Sequence, residues 1–233
     1  ESDQSPYLRD WRNRYQGKAL AILLPQTTEQ VAEIVKACNQ AKISLVPQGG
    51  NTSMCGAATP NDSGQQVVLN LKRMQTIRGL DASNQTIVVE AGCILQTVQE
   101  AAKAQGFLFP LSLGAQGSCQ IGGNLATNAG GTNVLRYGNA RELCLGLEVV
   151  TAQGEIMQGL RSLRKDNTGF DLRDLYIGSE GCLGIITAAV LKLFPLPTAQ
   201  WTALVAVPDI PSTIQLLNLF QKRTAALLTG FEM

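Results

Sequence analysis

Apolar positions along the chain recur with two periods, and each period predicts an element. Val31, Ile34, Val35 and Cys38 follow the spacing of one helix face. Thr27, with Gln30 three residues on, is a capping-box pattern that opens this helix. Ile43 to Pro47 and Val67 to Leu71 read as short buried strands, so the first part of the chain predicts a small α/β unit with parallel pairing. From Gln85 the texture changes. Thr86 to Glu90 predicts a strand, and Gly92 precedes a helix carrying Leu95, Val98 and Ala102 that stops at Gly106. Leu147 to Thr151 and Glu155 to Gln158 flank Ala152-Gln153-Gly154, a hairpin signal. Ile185 to Phe194 predicts a further strand, ended by Pro195 and Pro197. This half reads as an antiparallel or mixed sheet, with a lobe boundary expected near Gly79–Asn84. Beyond Pro197 the pattern predicts a strand at Thr202–Val207, a helix opened by Pro211 and Ser212 with Ile214, Leu217 and Phe220 inward, and a strand at Leu227–Phe231. A β–α–β unit of that size cannot stand alone, so the chain reads as cut inside a domain.

Composition narrows the chemistry. The chain has 233 residues, 45% hydrophobic and 16% charged, which is globular. A formal net charge of +1 gives no electrostatic case for nucleic acid or an acidic membrane surface. Apolar runs fall short of the roughly 18 residues a membrane span needs. Glu1 to Asp10 is polar rather than signal-like and reads as a trimmed start. Histidine is absent. That removes Ser-His-Asp chemistry, histidine-ligated metal and histidine acid–base catalysis from this segment, so no metal site and no catalytic residue is expected within it. The six cysteines, Cys38, Cys55, Cys93, Cys119, Cys144 and Cys182, form no CxxC pair and read as reduced, small apolar fillers in a reducing compartment.

Three separated stretches are rich in glycine. Pro47-Gln-Gly-Gly-Asn-Thr-Ser-Met-Cys-Gly56 follows a strand, and its glycines free backbone N–H groups to point at one oxyanion, with Asn51, Thr52 and Ser53 adding side-chain donors. Gly114 to Gly131 carries six glycines and few bulky groups, which lets a flat or extended ligand lie against main chain. Gly178-Ser-Glu-Gly-Cys-Leu-Gly184 leads into a strand. The first and third also suit ordinary turns. None is a GxGxxG opening a helix within a βαβ unit, and no GxxxxGK[ST] occurs. Together they suggest one long ligand held between two lobes, a description a dinucleotide fits.

The runs PQGGNT, GSCQIGGNLATNAGG, RYGNA, LRKDNTGFDL and GSEGCLGIIT, in that order, resemble the FAD-binding domain of the vanillyl-alcohol oxidase and p-cresol methylhydroxylase type, in the branch of the D-2-hydroxyglutarate and D-lactate dehydrogenases. The resemblance spans about Tyr15 to Pro197. It implies an α+β fold: residues 1–16 as an N-terminal segment, 17–197 as a two-lobed FAD domain (lobes about 17–80 and 81–197), and 198–233 as the truncated start of an α+β cap. It implies that Pro47, Gln48, Gly49, Gly50, Asn51, Thr52 and Ser53 hold the pyrophosphate. Pro110, Gly114, Ala115, Ser118, Ile121, Gly122, Asn124 and Thr127 would line the pyrophosphate and isoalloxazine side, with the backbone at Gly122 against the cofactor. Glu180, Gly181, Ile185 and Ile186 would meet the adenosine half. Cys182 stands where family members commonly carry Thr, and Cys119 and Gln120 vary too.

Relatives that attach FAD covalently through histidine have no counterpart here, and Cys55 and Cys119 do not match the spacing of bicovalent relatives, so FAD is expected to be non-covalent. Arg164, Lys165, Asp166 and Asn167 would approach the substrate side of the flavin. The intact enzyme is expected to oxidise a D-2-hydroxy acid to the 2-oxo acid and to pass electrons to an unidentified acceptor. The substrate-binding arginine, the base and any divalent metal are expected in the cap and C-terminal region. A homodimer, and a cytoplasmic location or the mitochondrial matrix in a eukaryote, complete the expectation. A flavin-dependent transferase of the alkyl-glycerone-phosphate synthase type, or a nucleotide-binding module without chemistry of its own, are the alternatives.

Overall fold

Thr27 sits in extended backbone, and its hydroxyl accepts from the Gln30 N–H at 3.3 Å. The Gln30 side chain reaches back to the Gln26 N–H at 2.7 Å, one residue further than a capping box requires. In the computed structural model, which describes residues 3–233, this pair opens a helix that ends where Lys42 turns left-handed. Counting from the start of the described chain, α1 is Ser5–Leu8, β1 Ala21–Leu23, α2 Thr28–Ala41, β2 Leu45–Gln48 and β3 Val67–Asn70. The three strands form a parallel sheet in the order β1-β3-β2, with every residue of the central β3 buried. Burial on both sides explains its unbroken apolar run.

The second lobe begins with β4 Ile77–Asp81, β5 Thr86–Glu90, α3 Leu95–Ala104, β6 Phe107–Leu108, α4 Ile121–Ala126 and α5 Val134–Tyr137. It continues with β7 Cys144–Thr151, β8 Ile156–Gly159, α6 Leu172–Tyr176, β9 Gly184–Lys192 and β10 Phe194–Pro195. Five strands pair antiparallel in the order β4-β5-β9-β7-β8. The expected lobe boundary at Gly79–Asn84 falls inside the β4–β5 hairpin, where the Asp81 carboxylate accepts from the N–H groups of Ser83 and Asn84. The change of sheet comes earlier, at residues 71–76. The strand expected over Ile185–Phe194 divides: β9 stops at Lys192, and Phe194 crosses over to pair with Leu108 of β6.

One core fills the second lobe around Ile87, Val98, Phe109, Leu125, Leu147 and Leu191. The other lies between α2 and both sheets, joining Val31, Val35, Leu69 and Met74 to Val150 and Ile185. Within this joint stands a polar knot. Glu148 on β7 accepts from Thr28 Oγ1 of α2 at 2.6 Å, from Thr187 Oγ1 at 3.0 Å and from Arg78 at 3.1 Å. Burial alone would push this carboxyl up. The hydrogen bonds from Arg78, Thr28 and Thr187 outweigh it and hold the group below the ordinary carboxylate value. Cys38, Cys93, Cys119 and Cys144 are buried thiols that fill space, whereas Cys55 and Cys182 are exposed, so the filler reading fits four of six.

After Pro195 the expectation fails in part. Thr202–Val207 and Leu227–Phe231 form no strands. A strand exists only by pairing, and the side chains of Trp201 and Leu204 stand fully exposed with no neighbouring edge among the described residues. The helix is present as α7, Ile210–Thr224, but Asp209 caps it, accepting from the Ser212 N–H at 2.8 Å. It buries no residue, and Ile214 is 55% exposed rather than inward. Among the described residues no helix is long and apolar enough to cross a membrane.

Candidate cofactor site

The first glycine-rich loop leaves β2 and is shaped by side chains. Asn51 has a left-handed backbone (φ 54°), and its Nδ2 donates to the carbonyls of Arg9 at 2.7 Å and Pro6 at 3.3 Å. Gln48 Nε2 donates to the carbonyls of Ala58 at 2.7 Å and Tyr7 at 3.0 Å. Asn70 at the end of β3 donates to Gln48 Oε1 and to the Gly49 carbonyl, both at 3.0 Å. Trp11 Nε1 reaches the Ser53 carbonyl at 3.1 Å. The amide of Asn51, expected to face a ligand, is therefore spent on the N-terminal strap, and that of Gln48 on the loop and the strap. What the loop offers outward is backbone. Among the described residues, the N–H groups of Gly50, Asn51, Thr52 and Ser53 have no acceptor. Successive unpaired N–H groups around a left-handed residue form an anion-binding concavity.

The second loop is built in the opposite way. The N–H groups of Ile121 and Gly122, at the start of α4, donate to the carbonyls of Cys93 at 3.0 Å and Ala91 at 2.8 Å. Gly122 is a glycine because Ala91 leaves no room: an added Cβ would lie 2.7 Å from Ala91 Cβ. The crowding expected from a cofactor at Gly122 thus comes from Ala91, just past the end of β5. Gly123 is the residue whose added Cβ would meet nothing within 4 Å, and Gly114 is open in the same sense. The two loops touch where a Cβ on Gly50 would lie 2.1 Å from the Ser118 carbonyl oxygen.

The third loop docks onto the end of α4. Gly178 and Glu180 donate to the carbonyls of Leu125 at 3.1 Å and Ala126 at 2.9 Å, with both residues at positive φ. Arg141, the residue after the RYGNA stretch, braces it by donating to the carbonyls of Asp174 and Ile177. Gly181 lies against the Pro47 ring.

The three loops enclose a cleft of about 380 Å³. Its walls include Pro47 through Ser53, Gly114, Ala115, Gly122, Asn124, Thr127, Glu180, Gly181, Ile185 and Ile186. Pro110, Ser118 and Ile121 do not line it. Ile121 is packed in the second lobe's core, Pro110 is buried with its carbonyl accepting from Asn133, and Ser118 hydrogen-bonds back to Ala115. The Arg164–Asn167 cluster also lies outside this wall. A second groove of about 690 Å³ adjoins the first through Pro47, Ala57, Glu180 and Gly181. It is walled by Arg14 and Tyr15 of the strap and by Thr59, whose buried hydroxyl has no partner. The strap, Asn70 and this groove are absent from the sequence expectation. No periodicity marks them, because their partners lie about 20 to 45 residues away.

Four free N–H groups, open space over Gly114 and Gly123, and one buried Gln120 oxygen without a partner describe a site for a long ligand with an anionic middle. The model of the FAD binding domain matches residues 19–159, more than half of the chain. The chain belongs to the FAD-binding domain family. This FAD-binding domain is 41% identical over 223 residues to the mitochondrial D-2-hydroxyglutarate dehydrogenase of Bos taurus, a match covering 96% of the chain and 41% of that protein. It is 40% identical over 231 residues to the D-2-hydroxyglutarate dehydrogenase of Xanthomonas citri pv. viticola, covering 99% of the chain and 48% of the relative. The chain thus spans less than half the length of these relatives. Among solved structures, an alkyldihydroxyacetonephosphate synthase superposes with a TM-score of 0.69 and 26% identity, over 76% of this chain and 32% of that one. That likeness supports the two-lobed α+β fold.

Proposed function

We propose that this FAD-binding domain serves a flavin-dependent dehydrogenase that oxidises a D-2-hydroxy acid, of the D-2-hydroxyglutarate or D-lactate kind, to the 2-oxo acid. The observation that carries the cofactor part is that the N–H groups of Gly50, Asn51, Thr52 and Ser53, in the wall of the cleft, have no acceptor among the described residues. They would hold the pyrophosphate. Gly114, Ala115, Gly123 and Thr127 would give close backbone approach on the ring side, and Glu180, Gly181, Ile185 and Ile186 would bound the adenosine half. The names of relatives about 40% identical carry the substrate part. The flavin, when bound, supplies the hydride acceptor. The chain's own residues orient it and exclude water from its phosphate half.

FAD is held without a covalent bond in this reading. Histidine is absent, and Cys119, which lines the cleft, has its thiol pushed up by burial and is a poor nucleophile. The base and the carboxylate clamp would come from the part of the protein this chain does not span. An acceptor for the electrons and a soluble location, mitochondrial in a eukaryote, belong to the same proposal. The test is anaerobic mixing of the full-length protein with D-2-hydroxyglutarate, D-lactate and D-malate. Flavin absorbance should bleach with at least one of them, and acid precipitation should release the colour to the supernatant. A coloured pellet would refute the non-covalent mode. Failure of all three acids to bleach a bound flavin would refute the dehydrogenase, and favour the transferase reading that the synthase likeness supports.

A further inference from the structure

Gln120 is 6% exposed, and its Oε1 is sealed from solvent without a hydrogen-bond partner. Such atoms are rare in folded proteins, because burying an amide without a partner forfeits its hydration for nothing in return. The residue precedes α4 in extended backbone, its own carbonyl accepting from the Asn124 N–H at 2.9 Å. Its side chain lies over Gly49, with Oε1 3.4 Å from where a Cβ on that glycine would stand. It lines the same cleft as Gly49, Gly50 and Gly123. An unpartnered polar group therefore sits beside the four free N–H groups, on the opposite wall from the loop that carries them.

Beside a nest of N–H groups, the ligand atom to be met is anionic, and a nitrogen donor is the complementary choice. Resting on the FAD-binding reading above, we infer that Gln120 donates to a pyrophosphate oxygen from Nε2, which has no acceptor among the described residues and is not sealed from solvent as Oε1 is. It then serves as a further donor, contributed by the second lobe. The assignment makes it a cofactor-binding residue that couples the α4 loop to the Gly49–Ser53 loop through the ligand.

The experiment uses the full-length protein stripped of flavin, with Gln120→Met and Gln120→Glu beside the native protein. Binding of FAD and, separately, of ADP is measured by calorimetry, and the melting temperature is taken without ligand. Gln120→Met should weaken both FAD and ADP on the order of 10-fold or more, the loss expected for a hydrogen bond to a charged group. The ligand-free protein should melt no lower, since an unsatisfied buried amide has been replaced by an apolar chain of similar length. Gln120→Glu should bind both ligands more weakly still, because a carboxylate faces a phosphate. Loss confined to FAD, with ADP unaffected, would place the contact on the flavin half and overturn the assignment. So would full affinity in Gln120→Glu, which would mark Oε1 as an acceptor. A parallel drop in ligand-free melting and affinity would mark Gln120 as structural. Native protein that binds neither ligand would refute the FAD reading itself, an outcome separate from any variant's behaviour.

Discussion

The two principal glycine-rich loops face each other across one cleft, yet they are held by different means. The Gly49–Ser53 loop has almost no main-chain hydrogen bonds and is tied down by the side chains of Gln48, Asn51, Asn70 and Trp11. The Gly114–Gly131 loop is tied by its own backbone to the exit of β5 and the start of α3, with Gly122 fitted against Ala91. Side-chain bracing frees backbone donors for an anion. Backbone bracing spends those donors and leaves bare surface for a flat group. Glycine therefore means different things in the two loops: freedom of the chain in one, absence of side-chain volume in the other.

Neighbouring glycines in the second loop give the sharpest test. Gly123→Val puts a side chain into open cleft, so the protein should fold with little change in melting while FAD affinity falls on the order of 100-fold. Gly122→Val drives a side chain into Ala91, so stability should fall by about 1–3 kcal/mol or more through overpacking. Gly79→Ala, exposed and with nothing within 4 Å, is the neutral control. Gly154 in the β7–β8 turn is not, because its φ is 79° and Lys36 packs against it. Thermal melts and FAD titrations on all three variants check this. If Gly123→Val lost stability rather than affinity, the open-surface account of the second loop would fail.

That contrast also marks what could be read from the chain. Three loops that wall the cleft were legible because clustered glycines are a local signal, and the helix of Thr28–Ala41 because Thr27 caps it and Val31, Ile34, Val35 and Cys38 repeat at its period. The identity of the working glycine was not. Gly122 and Gly123 are indistinguishable until the path of β5 brings Ala91 beside one of them. The side chain of Asn51 was expected outward, because its partner at Arg9 lies in a polar stretch with no pattern of its own. The strands expected over Thr202–Val207 and Leu227–Phe231 are absent, since β-propensity describes a pairable surface and not a pair.

Asn51→Ala probes the side-chain-braced loop. It removes two hydrogen bonds to the strap and leaves a residue other than glycine at φ 54°. FAD affinity should fall about 10-fold, with a small change in melting, because the lost contacts order the anion nest and not the core. Asn51→Gly relieves the backbone conformation but not the lost contacts. If Asn51→Gly restored native affinity, the hydrogen bonds to Pro6 and Arg9 would be dispensable, and the strap would be a passive neighbour.

The smallest expected effect concerns the joint that sets the two loops at their spacing. Thr28 of the first lobe and Arg78 and Thr187 of the second converge on Glu148, with Glu90 sharing Arg78 at 3.3 Å. The folded pKa of Glu148 is depressed relative to the unfolded chain. Its contribution to stability is therefore fully present above the unfolded value of about 4.3, and is lost as pH falls through the lower folded value. Glu148→Gln keeps the size and an acceptor oxygen but removes the charge. At neutral pH it should cost about 1 kcal/mol, the scale of one charge-assisted hydrogen bond reduced to a neutral one. As the native protein is acidified, the difference in melting temperature between it and the variant should close from above, since both then carry a neutral group at position 148. Exposed Asp166, held at about 2 by Arg161 and Thr168, titrates alike in both proteins and cancels in the difference. A gap that stays constant from neutral pH down to pH of about 3 would mean that shape, and not charge, makes Glu148 fit. The joint between the lobes would then be insensitive to acid.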